Sequence, residues 1–143
     1  MRAIKSGCLS RRDTINGVSM RSIDKKLEYL KITIPQVEPK VAFQRYRNGA
    51  IIIDVREHYE VIDGMAHGAR HIQRGLIDLS IENDIPDYSQ DLLLICESGL
   101  RSLLVAGELK MLGYCNVASI RGGMQRWKSE GLPVTKKVAS MAD

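Results

Sequence analysis

Runs of mostly apolar residues constrain the fold of this chain more than any other feature of its sequence. One run covers residues 50–55 and is rich in β-branched side chains, and another is Leu92–Ile95. Runs without regular polar alternation are typical of strands buried on both faces, as in parallel sheets. A third short strand is predicted at Val117–Ile120. Helical segments separate these strands, so we predict an α/β fold with a mainly parallel central sheet and helices on both faces.

The helices are predicted from the spacing of apolar residues and from signals at their ends. A first helix begins after Ser22, whose side chain can cap it, and a second covers residues 39–46. A third covers residues 103–112 and can end at Gly113, and a last one covers residues 124–130. Strands that alternate with helices imply right-handed βαβ units.

Length and composition indicate one globular domain. The chain has 143 residues, of which 44% are hydrophobic and 27% charged, a balance that excludes a largely disordered chain. No apolar run is long enough to cross a membrane. We predict a flexible basic arm over residues 1–20, a domain over residues 21–137 and a tail over residues 138–143, located in the cytoplasm.

The charge distribution argues against nucleic-acid binding. The formal net charge is +4, but seven basic and only two acidic residues lie within the first 26 positions. The remaining chain is therefore close to neutral and has no basic face. With one Trp and one Phe, it also has few aromatic rings on which bases could stack.

The cysteine and histidine content predicts neither a disulfide framework nor a metal site. Three scattered cysteines are too few for a disulfide scaffold or a tetrahedral zinc site. The three histidines have no cysteine or carboxylate at metal-ligand spacing. We therefore expect free thiols, no metal and no organic cofactor.

Cys96 is the candidate nucleophile, because it directly follows a predicted parallel strand and precedes a helix. Open α/β sheets bind ligands at this end of their strands. Loop amides and a helix N-terminus there can favour a thiolate, which would need no separate general base. Gly99 allows the sharp turn and Arg101 adds positive charge at the rim. The alternative is that Cys96 is a buried cysteine that acts as a small hydrophobic residue.

Three motifs of this sequence resemble those of the rhodanese-type sulfurtransferases. The segment Cys96-Glu97-Ser98-Gly99-Leu100-Arg101-Ser102 is similar to the active-site loop of that family, often written C-x-S-G-x-R-S. Upstream, Asp54-Val55-Arg56-Glu57 and the segment from residue 64 to residue 75 resemble a second family motif. Downstream, Gly122-Gly123-Met124 with Trp127 and residues 131–134 resemble a third. The resemblance extends from about residue 38 to residue 134.

The resemblance implies a single rhodanese domain that transfers sulfane sulfur. Cys96 would take sulfur from a small anionic donor, thiosulfate or a persulfide, and pass it to a thiol, cyanide or a protein acceptor. The amides of residues 97–102 would hold the terminal sulfur or the sulfonate, and Arg101 would attract the donor anion. The remaining candidates are Asp54 and Arg56 as an ion pair that supports the loop, and Arg74, which follows a short extended segment, as a residue of the pocket rim.

Two other functions remain open from the sequence. The domain could relay sulfur only within a protein complex, with the basic arm as a docking element for an acidic partner. It could also be a phosphatase or arsenate reductase of the same architecture, although those enzymes need a C-x5-R loop and this chain has C-x4-R. Glu97 makes the donor uncertain, because a carboxylate facing the pocket would repel thiosulfate, whereas one facing solvent would have little effect.

Overall fold

The computed structural model describes residues 22–136 and the backbone of two short strands before them, β1 (Thr14–Ile15) and β2 (Val18–Ser19). These two strands pair in an antiparallel fashion. The sequence predicted no strand in this segment. The rest of the predicted arm, and the tail over residues 138–143, lie outside the described residues.

The central sheet has five strands, and every neighbouring pair is parallel, as predicted. The strand order is β3-β8-β7-β4-β6. In the register, Ile51 of β4 lies opposite Leu92 of β7, which in turn lies opposite Val117 of β8. A separate antiparallel pair joins β5 to β9. The strands are β3 (Gln36–Val37), β4 (Ile51–Asp54), β5 (Met65–Ala66), β6 (Arg70–His71), β7 (Leu92–Ile95), β8 (Val117–Ile120) and β9 (Val134–Thr135).

Six helices in the described part of the chain connect these strands, and two of the predicted helix ends, at Ser22 and Gly113, lie where the sequence signals place them. The Ser22 hydroxyl accepts a hydrogen bond of 3.1 Å from the Lys25 N–H at the start of α1. Gly113 ends α5 in a left-handed conformation with φ +118°. The helices are α1 (Ile23–Thr33), α2 (Pro39–Arg47), α3 (His58–Val61), α4 (Arg74–Asp84), α5 (Leu100–Leu112) and α6 (Gly123–Ser129). In the described part of the chain, none of them is both long and apolar enough to span a membrane.

The helices α3 and α4 were not predicted. Helix α4 has no side-chain cap at Gln73 and leaves Leu76 and Leu79 exposed, so its sequence lacks clear boundaries and a clean apolar stripe. It is stabilised by packing instead, because Ile77 and Ile81 are fully buried against the sheet. Arg74, which we expected after an extended segment, is the first residue of this helix.

Two hydrophobic clusters cover the two faces of the sheet. Residues of α1, α4 and α5, such as Leu30, Ile77 and Leu103, pack on one face. Residues of α2 and α6, including Trp127, pack on the other. Trp127 is completely buried, and its indole N–H donates a hydrogen bond of 2.8 Å to the Pro133 carbonyl. The prediction of helices on both faces is therefore confirmed.

Gly123 allows the start of α6 to approach the backbone that follows β7. It adopts a left-handed conformation with φ +57°. The next two N–H groups, of Met124 and Gln125, donate hydrogen bonds of 2.8 and 3.1 Å to the carbonyls of Cys96 and Glu97. A Cβ atom on Gly123 would overlap the Cys96 carbonyl oxygen and lie 2.6 Å from that of Glu97. Only glycine fits here.

We expect Gly123→Ala to lower the free energy of unfolding by about 3 kcal/mol, because it combines an unfavourable φ with a backbone clash. Gly75→Ala is the matched control: Gly75 lies in the first turn of α4, with open space where its Cβ would be. Alanine favours a helix, so this variant should be neutral or more stable by up to about 1 kcal/mol. Urea unfolding measures both. Equal stability of the two variants would contradict this account.

Candidate active site

The loop from Cys96 to Gly99 joins β7 to α5 at the carboxyl end of the central strand. Gly99 is the N-cap of α5 and has φ +103°, a conformation that favours glycine. A Cβ atom there would lie 3.2 Å from the Gly122 nitrogen, so the loop also packs tightly against the segment that leads into α6. Because both ends of the loop are fixed, its amides have defined directions.

The sulfur of Cys96 lies at the centre of this loop. The residue is only 1% exposed. Its Sγ accepts hydrogen bonds of 3.1 Å from the Gly99 N–H and 3.4 Å from the Ser102 N–H. Of the loop amides that the sequence singled out, these two contact the sulfur, whereas the side chains of Ser98 and Leu100 are exposed. A sulfur with two convergent N–H donors is suited to hold negative charge.

A buried pair of serines extends this arrangement into the sheet. Ser102 Oγ lies 3.4 Å from Cys96 Sγ and 2.7 Å from Ser119 Oγ. Both serines are at most 1% exposed. Sequence reasoning missed Ser119, although it interrupts the apolar strand β8 and is the kind of polar residue that needs a buried partner. The two hydroxyls form a short hydrogen-bonded chain that ends at the sulfur.

Asp54 and Arg56 form a buried ion pair beside the loop. The distance from Arg56 Nη2 to Asp54 Oδ2 is 2.9 Å, and the two side chains are 2% and 0% exposed. Arg56 Nη2 also donates to the Gly64 carbonyl at 2.8 Å. Burial opposes the charge of Arg56, but the bonds and charges of Asp54 and Glu97 outweigh it and raise the pKa of Arg56. The guanidinium therefore stays charged and acts as a fixed cross-link.

The sequence left two orientations open for Glu97, towards the pocket or towards solvent, and the structure shows it bound to Arg56 instead. Its Oε1 accepts a hydrogen bond of 3.2 Å from Arg56 Nη1, while the side chain remains 39% exposed. The carboxylate is therefore held on the buried arginine instead of extending freely into solvent. It adds a negative charge directly beside the candidate nucleophile, and Arg56 shares its positive charge between Glu97 and Asp54.

Arg101 is held at the rim by a carboxylate of α3. Its Nη1 and Nη2 each lie 2.8 Å from an oxygen of Glu60. The hydrogen bonds from Arg101 lower the pKa of Glu60 to about 2, although its partial burial opposes this, and the pKa of Arg101 is raised in turn. Sequence reasoning assigned Arg101 to the donor anion and missed Glu60. The spacing Glu57-x-x-Glu60, which forms a capping box, was the signal available.

Arg74 and the second described cysteine, Cys115, lie outside the loop. The backbone N–H of Arg74 donates to the Val55 carbonyl at 3.0 Å, and within residues 22–136 its side chain forms no hydrogen bond or ion pair with the loop. Cys115 follows the far end of α5, a helix of 13 residues that is about 20 Å long, and it contacts the Tyr88 carbonyl. It is therefore too far from Cys96 for the two thiols to react with each other within one molecule. Over the described range, no group of three or more His, Cys, Asp or Glu side chains is arranged to hold a metal ion.

Solved structures with the same fold include proteins of different described activities. A protein of unknown function from Rhodopseudomonas palustris, called a possible tyrosine phosphatase, superposes with a TM-score of 0.74 at 24% identity, over 85% of this chain and all of that one. The polysulfide-sulfur transferase homodimer of Wolinella succinogenes gives a TM-score of 0.69 at 22% identity, over 81% of this chain and 88% of that one. At these identities, the similarity shows the fold alone.

Sequence comparisons identify the family. The protein named "Putative sulfurtransferase YtwF" of Bacillus subtilis is 38% identical over 82 residues, which are 57% of this chain and 77% of that protein. The thiosulfate sulfurtransferase GlpE of Haemophilus influenzae is 28% identical over 103 residues, 72% of this chain and 96% of that protein. A sequence model of the Rhodanese-like domain matches residues 39–130. With most of the described domain matched and with this fold, the chain belongs to the rhodanese-like family.

Proposed function

We propose that this protein is a sulfurtransferase that carries sulfane sulfur on Cys96 as a persulfide, without a metal or an organic cofactor. The observation that supports this best is the position of Cys96 Sγ, where the N–H groups of Gly99 and Ser102 converge on it. The names of the Bacillus and Haemophilus relatives are consistent with sulfur transfer. Thiosulfate and organic persulfides are both donors that such a sulfur could attack.

In the first half-reaction, the Cys96 thiolate attacks the outer sulfur of the donor. Its lone pair forms a new S–S bond while the S–S bond of the donor breaks, and that electron pair leaves with sulfite or with a thiolate. In the second half-reaction, a thiol or cyanide attacks the outer sulfur, and Cys96 returns to the thiolate. Two displacements of this kind need no external oxidant or reductant.

The loop would stabilise the persulfide between these steps. Backbone N–H groups of the loop would bind the negative outer sulfur, which would lie one S–S bond from the Sγ atom on which the N–H groups of Gly99 and Ser102 converge. The hydroxyl of Ser102 can donate a further hydrogen bond to sulfur while it accepts one from Ser119, which lies 2.7 Å away. The Glu60–Arg101 pair would hold the first turn of α5, and thereby the loop, against α3.

An enzyme that acts on phosphate or arsenate fits this site less well. The loop has four residues between Cys96 and Arg101, one fewer than the C-x5-R loops that surround a tetrahedral oxyanion. Arg101 also directs both of its terminal nitrogens to Glu60, so its charge is already neutralised. The protein should therefore show no aryl-phosphate hydrolysis.

The central prediction concerns Cys96. After incubation with thiosulfate or an organic persulfide, intact-mass measurement should show one added sulfur atom, peptide mapping should place it on Cys96, and cyanide should remove it. Cys96→Ser should abolish the labelling and the transfer, whereas Cys115→Ser should retain both, because that thiol lies at the other end of α5. Transfer by Cys96→Ser at the normal rate would refute the proposed function.

A second prediction concerns the Ser102 hydroxyl. Ser102→Ala should slow sulfur uptake by about tenfold, because it removes a hydrogen bond to sulfur worth about 1.4 kcal/mol. Ser129→Ala is the control, since that hydroxyl contacts only the Arg126 carbonyl at the exposed end of α6. Uptake is followed by the mass change over time, with thermal unfolding as a check on the fold. An unchanged rate of sulfur uptake in Ser102→Ala would mean that this hydroxyl does not assist the transfer.

A third prediction uses the low pKa of Glu60, about 2. In the unfolded chain the pKa of a glutamate is about 4.3, so the ion pair stabilises the fold fully above that pH and loses its effect as the pH falls towards 2. Both partners are partly exposed, so we expect Glu60→Gln to cost only about 1 kcal/mol at pH 7. Urea unfolding at pH 7 and pH 3 should show this difference shrinking by more than half. An equal loss of stability at both pH values would contradict the low pKa of Glu60.

A further inference from the structure

The charged groups around Cys96 carry more negative than positive charge. Arg56 lies between two carboxylates, with Asp54 Oδ2 at 2.9 Å and Glu97 Oε1 at 3.2 Å. Arg101 is occupied by both oxygens of Glu60. The two arginines at the loop thus face three carboxylates. Since the pKa of Glu60 is about 2, its carboxylate remains charged throughout the neutral range.

This arrangement is unfavourable for a doubly charged donor. Thiosulfate carries two negative charges and has to approach a thiolate, so it needs uncompensated positive charge nearby. Arg56 is buried and shared, and Arg101 is neutralised by a bidentate partner. The N–H groups of the loop carry partial positive charges. These charges already face the Cys96 sulfur, and they do not offset the second full negative charge of thiosulfate. The site therefore repels a dianion at the step that brings it to Sγ.

The rim suits an organic group instead. Tyr59 and Leu100, which are next in sequence to Glu60 and Arg101, are 74% and 44% exposed. The rim of the loop thus offers apolar surface to a donor. Cys96 itself is almost fully buried, so only a slender terminal atom can reach its sulfur.

We propose, on the basis of the function proposed above, that the donor for Cys96 is an organic persulfide, R–S–SH, and not thiosulfate. The Cys96 thiolate attacks the outer sulfur of the persulfide, the proton stays on that sulfur, and the broken S–S bond leaves its electron pair on the thiolate R–S⁻. The reactants and the products therefore each carry one negative charge. The apolar rim contacts the R group.

The first test compares donors on the unmodified protein. Sulfur uptake by Cys96 is timed by intact mass with thiosulfate and with the persulfide of N-acetylcysteine methyl ester, which is uncharged apart from the persulfide group. The persulfide should react at least about tenfold faster. Raising the salt concentration should speed the thiosulfate reaction, because salt screens repulsion, and should affect the other reaction little. Equal rates with both donors would overturn the proposal.

The second test removes one negative charge from the site. Glu97→Gln keeps the shape of the side chain and frees part of the charge of Arg56, so the rate with thiosulfate relative to the persulfide should rise about tenfold. The control is Glu82→Gln, which makes the same change of net charge on α4, beside Tyr88 and thus at the other end of the sheet. An unchanged rate ratio in Glu97→Gln, or an equal rise in Glu82→Gln, would overturn the proposal.

The proposal and the underlying function fail in different ways. If neither donor places sulfur on Cys96, the sulfurtransferase function itself is wrong. If thiosulfate reacts as fast as the persulfide, only the donor assignment is wrong. A third donor, a persulfide on an uncharged cysteine peptide, distinguishes a protein persulfide from the persulfide of a small thiol. A faster reaction with the peptide than with the small persulfide would support a protein donor, and a slower one would support a small thiol.

Discussion

The buried guanidinium of Arg56 is the interaction on which the rest of the site depends. It joins the end of β4, through Asp54, to the Gly64 carbonyl and to Glu97 in the loop that contains Cys96. An arginine that is 2% exposed is stable only when its donors are satisfied. Loss of one partner from such a pair typically costs about 3–5 kcal/mol. The burial of one charge thus determines the orientation of two carboxylates beside the candidate nucleophile.

Two further contacts give the loop its rigidity. The start of α6 donates backbone hydrogen bonds to the carbonyls of Cys96 and Glu97, and the Glu60–Arg101 pair holds the first turn of α5. The loop therefore adjoins β4, α3 and α6 as well as its own strand and helix. Such support holds two amides in place around one sulfur, and fixed donors of this kind are the main requirement for electrostatic stabilisation of an anion.

Local patterns predicted most of the scaffold, and the errors have physical causes. The strands around residues 51–54, 92–95 and 117–120 are apolar enough to be recognised, and Ser22 and Gly113 mark helix ends. Helix α4 was missed because it is stabilised by the burial of Ile77 and Ile81 and not by caps. Ser119 and Glu60 were missed because their importance comes from partners 17 and 41 residues away.

The sequence by itself determined the α/β architecture and the family, and it indicated Cys96 as the candidate nucleophile, since strand, loop and helix are local features and Cys96 lies at their junction. Only the tertiary structure decided which charged groups pair with Arg101 and Glu97. From the sequence, Arg101 was a free cation for the donor, but the fold brings Glu60 within 2.8 Å of it. The physical reason is that ion pairing between distant segments depends on how helices pack around the sheet, and local sequence patterns do not contain that geometry.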